Sequence, residues 1–242
     1  RYANPERSMN PVWSPDSRWI AYSRRLDSHL RAIFVHDTRS AQTHQLTDGM
    51  ADAISPVWDA SGKYLYFLAS TDFGLNTGWL DMSAYDRPVT RALYVALLKA
   101  GEPSPFLPRS DEEKPAVRDT TAAGRGTPSP RSGAGAGGTQ GGGGTAPAQQ
   151  EAGAKAPEVV IDFAGMARRI VDAPGLPARN YAGLVEGPEG RVFVAETPTR
   201  GQGVTLHRYS LEDREAAEFM TGVTSATTSH DRKKLLVRAG SN

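Results

Sequence analysis

The sequence predicts an all-β fold: a β-propeller fragment of about four blades, each a four-stranded antiparallel sheet, broken by a long Gly/Ala/Pro-rich insertion. Three observations predict it. First, Pro11-Val12-Trp13 returns unchanged forty-five positions later as Pro56-Val57-Trp58. A period of roughly 40–45 residues carrying several short strands marks a propeller blade. Second, each triplet leads into a polar turn, a basic residue and an aromatic or β-branched strand. The first copy runs Ser14-Pro15-Asp16-Ser17-Arg18-Trp19-Ile20-Ala21-Tyr22 and the second Asp59-Ala60-Ser61-Gly62-Lys63-Tyr64-Leu65-Tyr66-Phe67. Fainter copies stand at Gly187-Pro188-Glu189-Gly190-Arg191 and at Ser229-His230-Asp231-Arg232-Lys233. Third, the outer half repeats as well: His36-Asp37 to Gly49 aligns without a gap on Tyr209-Ser210 to Gly222.

Strand formers bounded by turn residues then mark the elements in order. They are Trp19 to Ser23, Ala32 to His36, Thr43 to Leu46, Tyr64 to Ala69, Leu93 to Leu98, Val159 to Phe163, Arg191 to Ala195, Leu206 to Ser210 and Leu235 to Arg238. Asp162 to Ile170 and Leu211 to Phe219 carry a helix-like pattern, but the second aligns on a strand-turn-strand of the first blade. Trp13 and Trp58 share a register, which predicts equivalent buried sites for both. In the second blade Arg31-Ala32-Ile33-Phe34-Val35 returns as Arg91-Ala92-Leu93-Tyr94-Val95 after sixty positions, not forty-five. About fifteen residues are therefore added within Ser70 to Val89, an aromatic-rich loop that must pack on something. The expected fourth strand of this blade is Val159 to Phe163.

Between the third and fourth strands lies residues 119–157, with eleven of the twenty-five Gly and no aromatic or β-branched aliphatic side chain. Such a segment buries too little to offset its ordering entropy, so the expectation is a disordered insertion. The resulting organisation is blades over residues 1–118, insertion over 119–157 and blades again over 158–242. A blade buries its faces only against neighbouring blades, so the chain is expected to be part of a ring and marginally stable alone.

Composition narrows the functions. Net charge is +1 from 28 basic and 27 acidic residues, which offers no electrostatic basis for nucleic acid or an anionic membrane as partner. There is no Cys, hence neither disulfide nor thiolate metal site. No apolar run approaches the ~20 residues of a membrane helix. Gly133, Gly135 and Gly138 have dinucleotide-fingerprint spacing but lack the flanking strand and helix that would place a phosphate. His29, His36, His44, His207 and His230 form no His-x-x-x-His pair, so no metal site is specified. A Gly-x-Ser-x-Gly elbow is missing. Asp111-Glu112-Glu113, Arg24-Arg25 and Arg168-Arg169 read as solvated charge, although paired Arg can bind a peptide carboxylate. The expectation is no catalytic residue, no cofactor and no metal ligand in this chain.

Trp13 to Tyr22 resembles the blade motif of Tol-associated propellers, prolyl oligopeptidases and tricorn proteases. The stretch from Leu68 to Leu75, with Gly78-Trp79-Leu80-Asp81-Met82, Tyr85-Asp86-Arg87-Pro88 and Pro103-Ser104-Pro105-Phe106, is similar to bacterial tricorn-type serine proteases. So is Asp162-Phe163-Ala164-Gly165-Met166 with Arg169-Ile170-Val171 and Pro174. That resemblance implies part of the second, larger propeller of such an enzyme: an accessory scaffold that gates peptides towards a serine-type catalytic domain outside this chain. It also implies a cytoplasmic homo-oligomer whose partners are peptide substrates, the remaining blades, and PDZ-like and catalytic segments of the same polypeptide. A periplasmic location stays open, because the chain starts at Arg1 rather than Met. No residue matches a catalytic motif of the family, so none is carried over. A non-catalytic binding propeller and the propeller of a prolyl-oligopeptidase-type enzyme are the competing readings.

Overall fold

A computed structural model describes residues 9–73, 89–108 and 156–240. All of these except Pro108 belong to one unit, built from residues 1–107 and 156–242. The first sheet holds β1 (Val12–Trp13), β2 (Trp19–Arg25), β3 (Arg31–Asp37) and β4 (Gln42–Gln45) in that order. A second holds β5 (Asp52–Trp58), β6 (Tyr64–Ser70), β7 (Ala92–Leu97) and β8 (Ile170–Asp172). The third runs β9 (Tyr181–Glu186), β10 (Arg191–Glu196), β11 (Val204–Ser210), β12 (Glu215–Thr228) and β13 (Leu235–Ala239). Every ladder is antiparallel. The early half of β12 closes the third blade against β11, and its later half pairs with β13 as the opening hairpin of a fourth. Among the described residues no helix is long and apolar enough to cross a membrane.

The repeated triplet encodes a bulge. Val57 pairs with Tyr66 and Ile54 with Leu68, so Ser55 and Pro56 face the single residue Phe67. In the first blade Val12 pairs with Ala21 while Met9 O accepts the Ser23 N–H at 3.0 Å, the same two-against-one count. The residue before each Pro is left-handed, Asn10 at φ 45° and Ser55 at φ 53°. Pro suits the next position because the bulge asks no ladder hydrogen bond of it. The innermost strands β9 and β12 shift register near the matching points, at Ala182 and Thr224.

The polar turns repeat as predicted. Ser14, Asp59 and Ser229 each donate their N–H across the turn to the residue five positions on, at 2.8–3.0 Å. The fourth position is left-handed in all four copies: Ser17, Gly62, Gly190 and Arg232. The third blade's turn closes one residue earlier, pairing Glu186 with Val192. In the outer half Ala41 and Arg214 match at φ 56° and 58°, as do Gly49 and Gly222. Leu211 to Phe219 therefore folds as turn and strand, not helix.

The core lies between sheets. Trp19, Ala21, Ile33 and Val35 of the first blade meet Trp58, Leu65, Phe67 and Ala96 of the second. The opposite face of the second blade, with Val57, Tyr66, Leu68, Leu93 and Val95, meets Tyr181, Val192, Val194 and Tyr209 of the third. Alternate residues of each strand thus serve opposite neighbours.

Two expectations are corrected. Trp58 is fully buried, but Trp13 is 55% exposed. It pairs with Ile20 as Trp58 pairs with Leu65, so it faces the side of the first blade away from the second, where no described residue covers it. The fourth strand of the second blade is Ile170–Asp172, not Val159 to Phe163. The latter segment runs across the rim instead, and a short 3₁₀ turn, Met166–Arg169, leads from it into β8. Of the insertion expected at 119–157, residues 119–155 lie outside the described set, as do residues 74–88 of the aromatic-rich loop.

Candidate functional site: an inter-blade charge cluster

Consecutive antiparallel strands bring the starts of β3, β5 and β7 to one rim, opposite the polar turns. A carboxylate is buried there. Asp52, the first residue of β5, has no solvent exposure. Its Oδ1 accepts the Arg31 N–H at 3.0 Å and Arg31 Nε at 2.8 Å; its Oδ2 takes Nη2 at 2.5 Å. Arg91 Nη2 stands 3.6 Å from the same Oδ2. One carboxylate therefore joins the first blade to the second, and the bidentate fork gives the pair its geometry.

Phe73 lies under both guanidinium groups, 5.1 Å from Arg31 and 6.0 Å from Arg91. Asp72 fixes the stem of that segment by accepting the N–H and hydroxyl of Thr90 and the hydroxyl of Ser70. Burial pulls the Arg91 guanidinium below its ordinary pKa, and Asp52 pulls it back up. Arg91 Nη1 also donates to the Tyr181 carbonyl at 3.3 Å, which extends the cluster to the third blade. Among the described residues its Nε has no hydrogen-bond partner. Each charge is met by another, so the arrangement fixes the angle between blades; no nucleophile and base stand together in it.

The residues singled out in the sequence are dispersed. His29 adopts a left-handed turn conformation and His36 Nδ1 lies 2.9 Å from Thr43 Oγ1. His44 stacks on Phe163, His207 Nε2 lies 2.6 Å from Glu196 Oε2, and His230 is exposed in a turn. Arg24 covers the Phe34 ring at 4.2 Å. Arg169 donates to the carbonyls of Leu97, Asp162 and Ala164, while Arg168 is exposed. Gly133, Gly135, Gly138 and the Asp111-Glu112-Glu113 run lie outside the described residues. Asp52 was missed by sequence reasoning. Its signal was the Arg repeated at the start of two equivalent strands, since a charge placed twice at a strand origin calls for a partner.

One solved structure supports this architecture. The crystal structure of the tricorn protease superposes with a TM-score of 0.58 at 19% identity, covering 97% of this chain and 21% of that one. That of TolB from Acinetobacter baumannii gives a TM-score of 0.48 at 14% identity, covering 96% and 38%. The chain thus spans about a fifth of the tricorn protease chain it matches. A search among curated proteins finds no match. With the family of the tricorn protease second beta propeller domain matching residues 3–242, the repeat, the three sheets and their inter-blade cores belong to that family, and so does this chain.

Proposed function

We propose that this chain is an accessory propeller segment of a tricorn-like serine peptidase, scaffolding the enzyme and gating peptide access to a catalytic domain beyond these residues. The family match over residues 3–242 carries the reading. The innermost strands support it. They are stapled side by side: Trp58 Nε1 donates to Val12 O at 3.1 Å, Leu184 N–H to Ser55 Oγ at 2.8 Å, and Thr228 Oγ1 to Glu186 O at 2.7 Å. Their bulges expose Asn10, Ala182 and Thr224, which are small and uncharged. A wall of that chemistry lets an extended chain pass without selecting by charge. The same proposal includes assembly with further blades and with PDZ-like and catalytic segments of one polypeptide.

The test uses the full-length parent with Ala182→Arg and Thr224→Arg. Turnover of long unfolded peptides should fall while short peptides are cleaved at the original rate. Equal effects on both lengths, or none, would overturn gating. A coding sequence that ends soon after Asn242 would favour a binding propeller instead.

A further inference from the structure

Where the second and third blades meet at the turn rim, the turns touch directly: Asp59 Oδ1 accepts the Gly190 N–H at 2.8 Å. Between the first and second blades another segment stands in that place. Residues 157–163, returning from the insertion, lie extended beside both turns. Val159 N–H donates to Asp16 Oδ2 at 3.0 Å, and Trp19 Nε1 donates to Val159 O at 3.3 Å. The Val159 side chain is fully buried, so close to Gly62 that a Cβ there would meet its Cγ2 at 2.9 Å. Phe163 stacks on His44 at 4.0 Å and meets the edge of Trp19 at 6.0 Å. Asp162 N–H donates to Leu98 O at 2.9 Å.

None of residues 157–163 joins a sheet. The Val159 backbone is read on both its N–H and its C=O by blade side chains, and two apolar anchors four residues apart fill separate sites. Proteins hold extended peptide ligands in this manner, with backbone hydrogen bonds for affinity and pockets for specificity. The far end is moored: Arg169 Nε donates to Leu97 O at 3.1 Å and Nη1 to Ala164 O at 3.0 Å. Arg169 Nη2 also holds the Asp162 carbonyl, so release of residues 157–163 breaks that contact and the Asp162–Leu98 bond, while the ladder between β7 and β8 stays in place.

We propose that the rim between the first two blades is a peptide-binding groove, formed by Asp16, Trp19 and His44, whose resident occupant is the chain's own segment 157–163. Once that segment is displaced, the groove accepts in trans an extended peptide of the same chemistry: a β-branched anchor followed four residues on by an aromatic. Nothing in this groove depends on the peptidase reading above. Tethering gives the resident an effective concentration on the order of millimolar, so an outside peptide competes poorly with it.

The test measures binding of a labelled Pro-Glu-Val-Val-Ile-Asp-Phe peptide to the whole chain by fluorescence anisotropy. The variant Val159→Asp with Phe163→Ala should bind it saturably, at least about tenfold more tightly than the unmodified chain. Adding Asp16→Ala and His44→Ala should abolish the gain, and a peptide with Asp at its third position should not bind. No gain in the displaced variant, or a gain that survives loss of Asp16 and His44, would overturn the groove. Amide exchange of the unmodified chain serves even if that variant fails to fold. The Val159 amide should exchange faster than the ladder amides of Val35 and Leu65; equal protection would show a segment that never leaves.

Discussion

The first and second blades are copies in register, yet the same side chains meet different fates. Asn10 and Ser55 share the left-handed bulge, Trp13 and Trp58 the next strand position, and the pairs Tyr22–Phe34 and Phe67–Tyr94 stack at 5.9 and 5.7 Å. In the second blade the rings of Trp58, Phe67 and Tyr94 press on the first, and Trp58 is 0% exposed. In the first blade the equivalent rings point the other way: Arg24 lies over Phe34, which stays buried, while Trp13 is 55% exposed. The repeat thus encodes the backbone path and the direction of each side chain. Burial is decided by what stands on that side.

The widest separation between the copies should come from their Trp residues. Trp58→Ala removes a core ring and its bond to Val12 O, and should cost about 3–5 kcal/mol in urea denaturation of the chain. Trp13→Ala should stay within about 0.5 kcal/mol, because solvent already reaches most of that ring. Equal losses would break the comparison.

Next comes the contrast between seams. Asp52→Ala leaves Arg31 and Arg91 facing each other without a carboxylate, which should cost about 3 kcal/mol, the low end for a broken buried pair because Arg31 keeps some solvent contact. At the seam between the second and third blades the Arg91 side chain reaches the Tyr181 carbonyl and its backbone bridges Arg179, with no carboxylate in either contact, and the neighbouring Asn180 is exposed. Asn180→Ala should therefore change stability by less than about 0.5 kcal/mol. A loss of similar size from Asn180 would mean both seams rest on the same contacts.

Much of the fold was legible because blade physics is local. The turn hydrogen bonds depend on Ser or Asp at fixed offsets, the bulge on Pro, and the blade order on the repeat itself. Three features were hidden for physical reasons. Trp13's exposure depends on a neighbour, which no repeat specifies. Val159 to Phe163 has strand composition, but its partners are Asp16 and Trp19, some 140 positions away, and side chains of that kind leave no periodic trace. Asp52 gave no sign of burial, since one carboxylate among 27 acidic residues is recognised only when two Arg converge on it.

The turns supply a smaller effect. Gly62 and Ser17 hold the same left-handed position at φ 71° and 57°. Gly62→Ala should cost about 1–2 kcal/mol from backbone strain alone, and more from crowding against Val159. Ser17→Gly should relieve strain and gain up to about 1 kcal/mol, less the entropy that Gly loses on folding. Thermal melting of both variants checks the sign; a stabilising Gly62→Ala would refute the shared backbone.

The smallest difference lies in the basic residue that follows each of these turns. Arg18 grips Asp37 through Nε at 3.3 Å and Nη2 at 2.8 Å, whereas Lys63 meets Glu102 by one contact at 2.9 Å on an exposed surface. The hydrogen bonds from Arg18 hold the Asp37 carboxyl well below the usual carboxylate range. A carboxylate depressed in this way stabilises the fold in full above its unfolded pKa of about 3.9, and that contribution fades as pH falls further towards the folded value. Arg18→Gln should therefore lower the urea midpoint at about pH 7, with the gap to the unmodified chain narrowing below about pH 4. Lys63→Gln should give a shift near the limit of detection, lost in about 1 M salt, because an exposed single-contact pair is screened and entropically costly to hold. A gap for Arg18→Gln that is constant from neutral to acid pH would show that its side chain acts by packing over Trp19, 4.6 Å from the ring centroid, and not through Asp37.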